Sequence, residues 1–206
     1  KLDKLINKKN GYYIDIGAND GVKYSNTYYF ELFKNWSGIL IEPSPNKYLE
    51  CVARRSDKKN IFVCAACVST EYNQKYVDIV YANFMSFCLN LKLNIDKAKH
   101  TKNAVSRMNK ELSENYYPIN YGALSSTLDK ILLSSNPPKV IDFVSIDVEG
   151  AEFEVLNGYK LIDEYEINYF LIETNEHKKL EKIMKNKGYQ KVLEASPKDI
   201  IYKKIR

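Results

Sequence analysis

Short apolar runs alternate with amphipathic stretches along almost the whole chain, and this order limits the fold more than any other feature. It is typical of parallel strands joined by crossover helices, which predicts an α/β fold with helices on both faces of a mostly parallel sheet. Predicted strands cover residues 12–16, 38–41, 61–69, 77–81, 140–146, 169–172, 190–194 and 199–203. Predicted helices cover residues 26–34, 46–55, about 126–133, a stretch after Gly150, and 178–186. The most apolar run, 140–146, is expected at the centre of the sheet.

Length and composition indicate a single folded unit. With 206 residues, the chain has the length of one α/β domain, so we expect one domain over residues 1–206. The hydrophobic fraction of 45% is that of an ordinary globular protein. There is no run of about 20 apolar residues, as a membrane span needs, and the start lacks the apolar part of a signal peptide. We therefore expect a soluble, cytoplasmic protein.

The four cysteines include one pair, Cys64 and Cys67, with the spacing of a redox or zinc motif. If both lie on the predicted strand 61–69, their side chains point to opposite faces. No second cysteine pair or nearby histidine completes a zinc site. We interpret them as core cysteines in a protein of a reducing compartment.

A glycine-rich turn follows the first strand, in the sequence Asp15-Ile-Gly-Ala-Asn-Asp-Gly21. Gly17 and Gly21 permit a tight turn and a close approach of the backbone to a ligand. The spacing differs from the G-x-G-x-x-G pattern of dinucleotide sites, and acidic residues in the turn would repel a pyrophosphate. They suit a ligand with ammonium and sulfonium charges, which favours S-adenosylmethionine (SAM) over NAD. A turn without any ligand is the alternative.

A carboxylate ends the second predicted strand, where Glu42 precedes Pro43. Nucleotide-type cofactors place an acid at this point, because one carboxylate can accept both ribose hydroxyls. Glu42 falls 21 residues after Gly21, close to the spacing of about 20 expected for such folds. The alternative is a solvent-facing strand end. We predict that Glu42 binds the ribose.

Two acids close the central strand in the sequence Val144-Ser-Ile-Asp-Val-Glu-Gly-Ala-Glu152. Asp147 and Glu149 are two residues apart, so we expect both side chains to point into the cleft above the strand ends. Glu173 ends the next strand, and His177 follows it. These four residues are the candidate catalytic groups, with Glu149 the first choice as general base. Asp147, Glu149 and Glu173 could instead hold a hard cation such as Mg²⁺, although oxygen ligands alone do not specify a metal.

These motifs together resemble the FkbM family of methyltransferases, over about residues 12–203. The resemblance rests on the turn at 15–21, on Ile41-Glu-Pro-Ser44, on Ser125-Ser-Thr-Leu-Asp129 and on Ser145 to Glu152 with Leu156 and Gly158. It implies a Rossmann-like class I SAM fold with a seven-stranded sheet, and O-methylation of a hydroxyl on a sugar, a glycan or another metabolite. The cofactor-binding residues are then expected to be Asp15, Gly17, Ala18, Asn19, Gly21, Glu42, Pro43 and Asp147. Because the third strand lacks an acid for the adenine amine, adenine is expected to contact backbone and apolar groups.

The segment 90–121 interrupts the alternating pattern and looks inserted. Six of its residues are basic against one acid between positions 92 and 110, a net charge of +5 that equals the charge of the whole chain. We predict that it forms a lid over the methyl acceptor and that Lys97, Lys99 and Lys102 bind an anionic substrate. A solvated helix face is the alternative.

Two other functions stay open on the sequence. A nucleic-acid (RNA) methyltransferase would use the basic segment, but the basic residues are not interleaved with aromatic ones as in a stacking platform. A non-catalytic SAM-binding module would keep the fold and lose the reaction. The acids at positions 15, 42, 147 and 149 favour an enzyme.

Overall fold

The computed structural model describes residues 1–113 and 115–205, apart from the side chain of Leu112. The helices are α1 (Leu2–Ile6), α2 (Tyr28–Lys34), α3 (Pro45–Arg54), α4 (Lys97–Leu112), α5 (Leu128–Ser135), α6 (Glu152–Asn157) and α7 (His177–Asn186). The strands are β1 (Tyr12–Ile16), β2 (Ser37–Ile41), β3 (Asn60–Val63), β4 (Ala66–Cys67), β5 (Tyr76–Tyr81), β6 (Phe87–Cys88), β7 (Ile119–Ser126), β8 (Val140–Ile146), β9 (Glu166–Glu173), β10 (Tyr189–Glu194) and β11 (Asp199–Lys204).

Seven strands form the main sheet in the order β10-β11-β9-β8-β1-β2-β3. Parallel pairing joins β9, β8, β1, β2 and β3, whereas β11 runs antiparallel between β9 and β10. The predicted central strand, β8, lies fourth of the seven, which confirms its position. The predicted mostly parallel α/β sheet is also confirmed.

Both faces of the main sheet are covered, which is why its inner strands are apolar almost throughout. Side chains on β1 alternate between two cores: Ile14 and Ile16 pack in one, and Tyr13 packs in the other with Trp36 and Phe143. This alternation follows from the two-residue period of a strand. The carboxyl ends of β1, β2, β8 and β9 therefore meet at one edge of a rigid scaffold.

A second sheet, in the order β4-β7-β5-β6, lies between β3 and α5 along the chain. The prediction of one strand over 61–69 is wrong, because β3 ends at Val63 and β4 belongs to the second sheet. The predicted strand 77–81 is present as β5, and it pairs with β7. Segment 90–121, which the sequence marks as inserted, contains the helix α4 and the start of β7.

Some local features differ from the predictions. Helix α5, predicted from about residue 126, begins at Leu128 and is capped by Thr127, whose hydroxyl accepts from the Lys130 N–H. Asp129 accepts the N–H groups of Lys160 and Leu161. The short helix α1 was not predicted. Within the described residues, we find no helix with both the length and the apolar character that a membrane crossing needs.

Candidate active site

The carboxyl ends of β1, β8 and β9 open into a cavity of about 690 Å³. Such strand ends are where open α/β sheets bind ligands. Its wall comes from the turn after β1, from the ends of β8 and β9, from α4 and from the 3₁₀ turn at Asn83–Met85. A second, smaller cavity adjoins it beside the ends of β2 and β3. Gly17, Asn19, Asp147 and Glu149 line both.

The turn after β1 is held by close packing against the rest of the sheet. The N–H groups of Gly17 and Ala18 both donate to the Ile41 carbonyl. Gly17 has a φ of +89°, and a Cβ added there would lie 1.8 Å from the carbonyl oxygen of Asp147. Gly21 has a φ of +77° and faces the Cys51 sulfur. The predicted tight turn is present. The groups packed closely against the two glycines belong to the chain itself.

Asp15 is buried at the end of β1 and lines the large cavity. Its carboxylate accepts the hydroxyls of Thr27, at 2.6 Å, and Ser25, at 3.2 Å. Burial raises the pKa of Asp15, and the two hydroxyl bonds act in the opposite direction. Asp15 therefore ties the turn to the start of α2.

Glu42 lies at the end of β2 and is 7% exposed. One carboxylate oxygen accepts the N–H of Asn19 and the other the N–H of Ser44, both at 2.8 Å. Burial raises its pKa, while the two N–H bonds lower it. Each oxygen keeps a lone pair, so Glu42 can still accept hydroxyl donors. It lines the small cavity with Pro43 and with apolar residues, among them Ala65, Ala66, Cys67 and Phe87.

Three carboxyl groups gather at the floor of the large cavity: Asp147, Glu149 and Glu173. Asp147 is exposed to water in the cavity, yet the wall surrounds it closely enough to raise its pKa by desolvation, and the Glu173 charge adds to this. Burial opposes ionisation of Glu173, but hydrogen bonds from Asp147 and Lys198 outweigh it and lower the pKa of Glu173. The Lys198 ammonium lies 2.9 Å from the Glu173 carboxylate. The pair can thus hold one proton on Asp147.

Glu149 differs from Asp147 and Glu173 in its backbone conformation and in its pKa. Its φ is +50°, in the left-handed region that non-glycine residues rarely adopt. Desolvation, with a further contribution from the Glu173 charge, raises the pKa of Glu149 to about 7. A carboxyl group with this pKa can accept and release a proton near neutral pH. Strain and a shifted pKa at one residue are typical of functional positions.

Helix α4 turns one face toward the acids. Lys99, His100, Asn103 and Arg107, spaced at three or four residues, line the large cavity. The His100 ring lies 3.8 Å from the Glu149 carboxylate and 2.9 Å from the Met85 carbonyl. The site thus has an acidic floor and a basic wall.

The structure brings only one of the three predicted substrate lysines to the cavity. Lys99 lines it, while the Lys97 ammonium donates to the carbonyls of Leu89 and Leu91. Lys102 is on the exposed side of α4 and does not line it. His177 is also absent from the lining. His100 is among the few bases that the sequence offers, but it was not chosen as a site residue. Arg107 was missed as a site residue, although its position two helical turns after Lys99 would have indicated it.

Residues of the described ranges include no group of three or more His, Cys, Asp or Glu side chains arranged to hold a metal ion. The four cysteines are free thiols, of which Cys51, Cys67 and Cys88 are buried. Cys64 and Cys67 do not share a strand, since they lie after β3 and in β4. The predicted core role is therefore met by Cys67, whereas Cys64 is half-buried.

A buried arginine behind the turn was not predicted. The Arg55 side chain is fully buried and lies 2.7 Å from the Glu31 carboxylate. It donates to the Gly21 carbonyl at 2.7 Å and approaches the Thr27 hydroxyl at 3.3 Å. Because Thr27 in turn binds Asp15, Arg55 connects α3 to both ends of the turn. Removing one partner of such a buried pair is strongly destabilising.

Three features together define a class I methyltransferase fold. They are the seven-stranded sheet with one reversed strand beside its edge, the acid at the end of β2 and the glycine turn after β1. The sequence matches the Methyltransferase FkbM domain over residues 15–191. The chain therefore belongs to the FkbM family of methyltransferases, as its motifs predicted. Membership of this family implies SAM as the methyl donor.

Several solved structures resemble the chain at low sequence identity, one of them with a TM-score above 0.5. The FkbM methyltransferase of Methylobacillus flagellatus KT superposes with a TM-score of 0.52 and 13% identity, over 94% of this chain and 43% of that one. The METTL16 methyltransferase domain gives 0.48 and 9%, over 99% and 64%. The precorrin-6y C5,15-methyltransferase of Geobacter metallireducens GS-15 gives 0.43 and 12%, over 98% and 85%. This chain spans less than half the length of the first protein. No curated protein matches the sequence.

Proposed function

We propose that this chain transfers a methyl group from SAM to a hydroxyl oxygen of a sugar, a glycan or another small metabolite. One observation carries the proposal: Glu149, with its pKa near 7, lies on the cavity floor beside the glycine turn. SAM, when bound, supplies an electrophilic methyl group on a sulfonium centre. An acceptor hydroxyl must lose its proton as it reacts, so the site needs a base that is partly ionised at neutral pH.

The cofactor residues of this proposal lie around the two cavities. Asp15 and the turn of Gly17, Ala18 and Asn19 face the methionine part, where negative charge favours the ammonium group. Gly21, also predicted to bind the cofactor, lines neither cavity and shapes the turn from behind. Glu42 accepts the ribose hydroxyls with the lone pairs that its N–H bonds leave free. Pro43 and the apolar residues of the small cavity contact the adenine. Asp147 lies where the two cavities meet.

In the reaction, Glu149 accepts the proton of the acceptor hydroxyl and later releases it to water in the cavity. The Asp147–Glu173 pair keeps a negative charge close by, which favours the protonated form of Glu149. The basic face of α4 lies across the cavity and attracts an anionic acceptor. Holding the hydroxyl close to the methyl group supplies the rest of the rate enhancement.

Cofactor binding is tested by calorimetry with S-adenosylhomocysteine. Glu42→Ala should weaken binding at least about tenfold, since a charge-assisted hydrogen bond contributes roughly 1.5 to 3 kcal/mol. Glu42→Gln keeps one acceptor oxygen, so its affinity should lie between those of the wild type and Glu42→Ala. Glu71→Ala, at an exposed position outside both cavities, is the matched control. Equal affinity of wild type and Glu42→Ala would remove Glu42 from the ribose role, and no binding to wild type would overturn the proposal.

Catalysis is tested with isotopically labelled SAM and a panel of sugars, glycans and RNA. Glu149→Gln should abolish transfer while keeping the affinity for S-adenosylhomocysteine within about twofold. In the wild type, kcat/KM should fall about tenfold per pH unit below pH 7, because the base must be ionised. A flat pH profile would contradict the role of Glu149. Transfer to RNA alone would favour a nucleic-acid methyltransferase, and cofactor binding without any transfer would favour a non-catalytic module.

A further inference from the structure

Two aromatic side chains from distant parts of the chain meet at the mouth of the large cavity. Tyr24 lies in the loop between β1 and α2, and Phe84 lies in the 3₁₀ turn between β5 and β6. Their ring centroids are 5.5 Å apart in an edge-to-face arrangement. Both line the cavity that holds Asp147 and Glu149. Phe84 also lines the small cavity, whereas Tyr24 does not, so the proposed function leaves Tyr24 without a role.

Both the exposure and the backbone conformation of Tyr24 are unfavourable in free energy. Its side chain is 71% exposed, although it is large and apolar. Its φ of +62° lies in the left-handed region, which a bulky residue rarely adopts. Such a conformation costs free energy, and residues of this kind cluster at ligand-binding positions.

Cations surround the pair. The Lys23 ammonium lies 4.5 Å from the centroid of the Phe84 ring and 5.5 Å from that of Tyr24. The Arg107 guanidinium carbon lies 5.9 Å from the Phe84 ring. These positive groups line the same cavity as Asp147, Glu149 and Glu173, and Lys23 and Arg107 lie beside the aromatic rings. A ligand in the cavity therefore meets both a base and cations.

Five amide side chains line the cavity: Asn19, Asn26, Asn94, Asn103 and Asn175. An amide offers both a donor and an acceptor, which matches the hydroxyl groups of a polyol. The combination of aromatic surface with a few polar groups is typical of a small-molecule site.

We infer that Tyr24 and Phe84 form a subsite for the ring of an anionic sugar, with Lys23 and Arg107 binding its acidic substituent. The inference rests on the proposed function and specifies its acceptor. The apolar C–H face of a sugar ring can pack on the exposed Tyr24 ring, while the amides bind its hydroxyls. The two rings cannot hold a flat nucleobase between them, because they stand 69° apart. The cations and amides beside them match a sugar with an acidic substituent and several hydroxyl groups.

The experiment measures binding of three probes by calorimetry, with and without S-adenosylhomocysteine: methyl β-D-glucuronide, the neutral methyl β-D-glucoside, and a single-stranded RNA hexamer. Tyr24→Asn removes the ring and tolerates the left-handed backbone. Tyr24→Phe keeps the ring. Tyr117→Asn is the matched control, because Tyr117 is 77% exposed and lies outside the cavity lining.

We expect the wild type to bind the glucuronide more tightly than the glucoside. Tyr24→Asn should weaken glucuronide binding at least fivefold, whereas Tyr24→Phe and Tyr117→Asn should stay within twofold of wild type. Arg107→Gln should weaken the glucuronide and leave the glucoside unchanged.

Three results would overturn the subsite: unchanged glucuronide binding in Tyr24→Asn, no binding of either sugar to wild type, or Tyr24-dependent binding of RNA alone. Loss of S-adenosylhomocysteine binding would contradict only the proposed function, because the sugars are also measured without it.

Discussion

Replacing the proposed base should make the protein more stable, and the effect should depend on pH. The pKa of Glu149 is about 7 in the folded chain against a usual value of 4.5. Below pH 4.5 the carboxyl is protonated in both the folded and the unfolded state, so it costs no stability. Between pH 4.5 and 7 only the unfolded state loses the proton, and the folded state loses stability as pH rises. Above pH 7 the full cost is present.

The size of the effect follows from the difference between the two pKa values. It corresponds to about 3 kcal/mol at 1.36 kcal/mol per pH unit. The side chain is 24% exposed, and solvent screening reduces the figure to about 2 kcal/mol. Glu149→Gln removes the charge and keeps the shape. It should therefore raise the free energy of unfolding by about 2 kcal/mol at pH 8.5 and by well under 1 kcal/mol at pH 5.

The assay is chemical denaturation of wild type and Glu149→Gln at the two pH values, with thermal melts in parallel. A gain of about 2 kcal/mol corresponds to roughly 4 to 8 °C in Tm for a chain of this length. Glu71→Gln, at an exposed position, should change little at either pH. An equal effect of Glu149→Gln at both pH values, or a loss of stability at pH 8.5, would refute the reasoning.

Two further predictions concern packing and the basic helix. Gly17→Ala should lower the free energy of unfolding by at least about 3 kcal/mol in chemical denaturation, because the new Cβ would lie 1.8 Å from the Asp147 carbonyl oxygen. Gly122→Ala is the control, since its Cβ would meet its nearest atom at 3.6 Å. Equal stabilities of the two variants would contradict the packing. Lys99→Gln should raise the KM for an anionic acceptor and reduce its salt dependence. Lys97→Gln should instead lower the free energy of unfolding by about 1 kcal/mol, since the Lys97 ammonium donates to backbone carbonyls. A raised KM in Lys97→Gln together with an unchanged KM in Lys99→Gln would contradict the geometry.

The sequence by itself determined the main sheet and the position of the acids. Residues 140–146 are apolar except for Asp142 and Ser145, a composition typical of a strand covered on both faces. Once the strands are parallel, their carboxyl ends must share one edge. Asp15, Glu42, Asp147 and Glu173 each stand at or just after a strand end, so local pattern and topology together predict that they meet. The same reasoning placed Gly17 in a tight turn.

Only the tertiary structure decided what surrounds those acids. Helical periodicity spaces the residues of α4, but packing on the second sheet decides that Lys99 and His100 face the cavity while Lys102 faces solvent. The pairing of β4 with β7 joins residues about 60 positions apart, and no local pattern encodes such a contact. The contact between Tyr24 and Phe84 likewise follows from the tertiary structure, because the two residues are far apart in the sequence. Arg55 carries no signal in the sequence, because its burial depends on Glu31 reaching it from another helix.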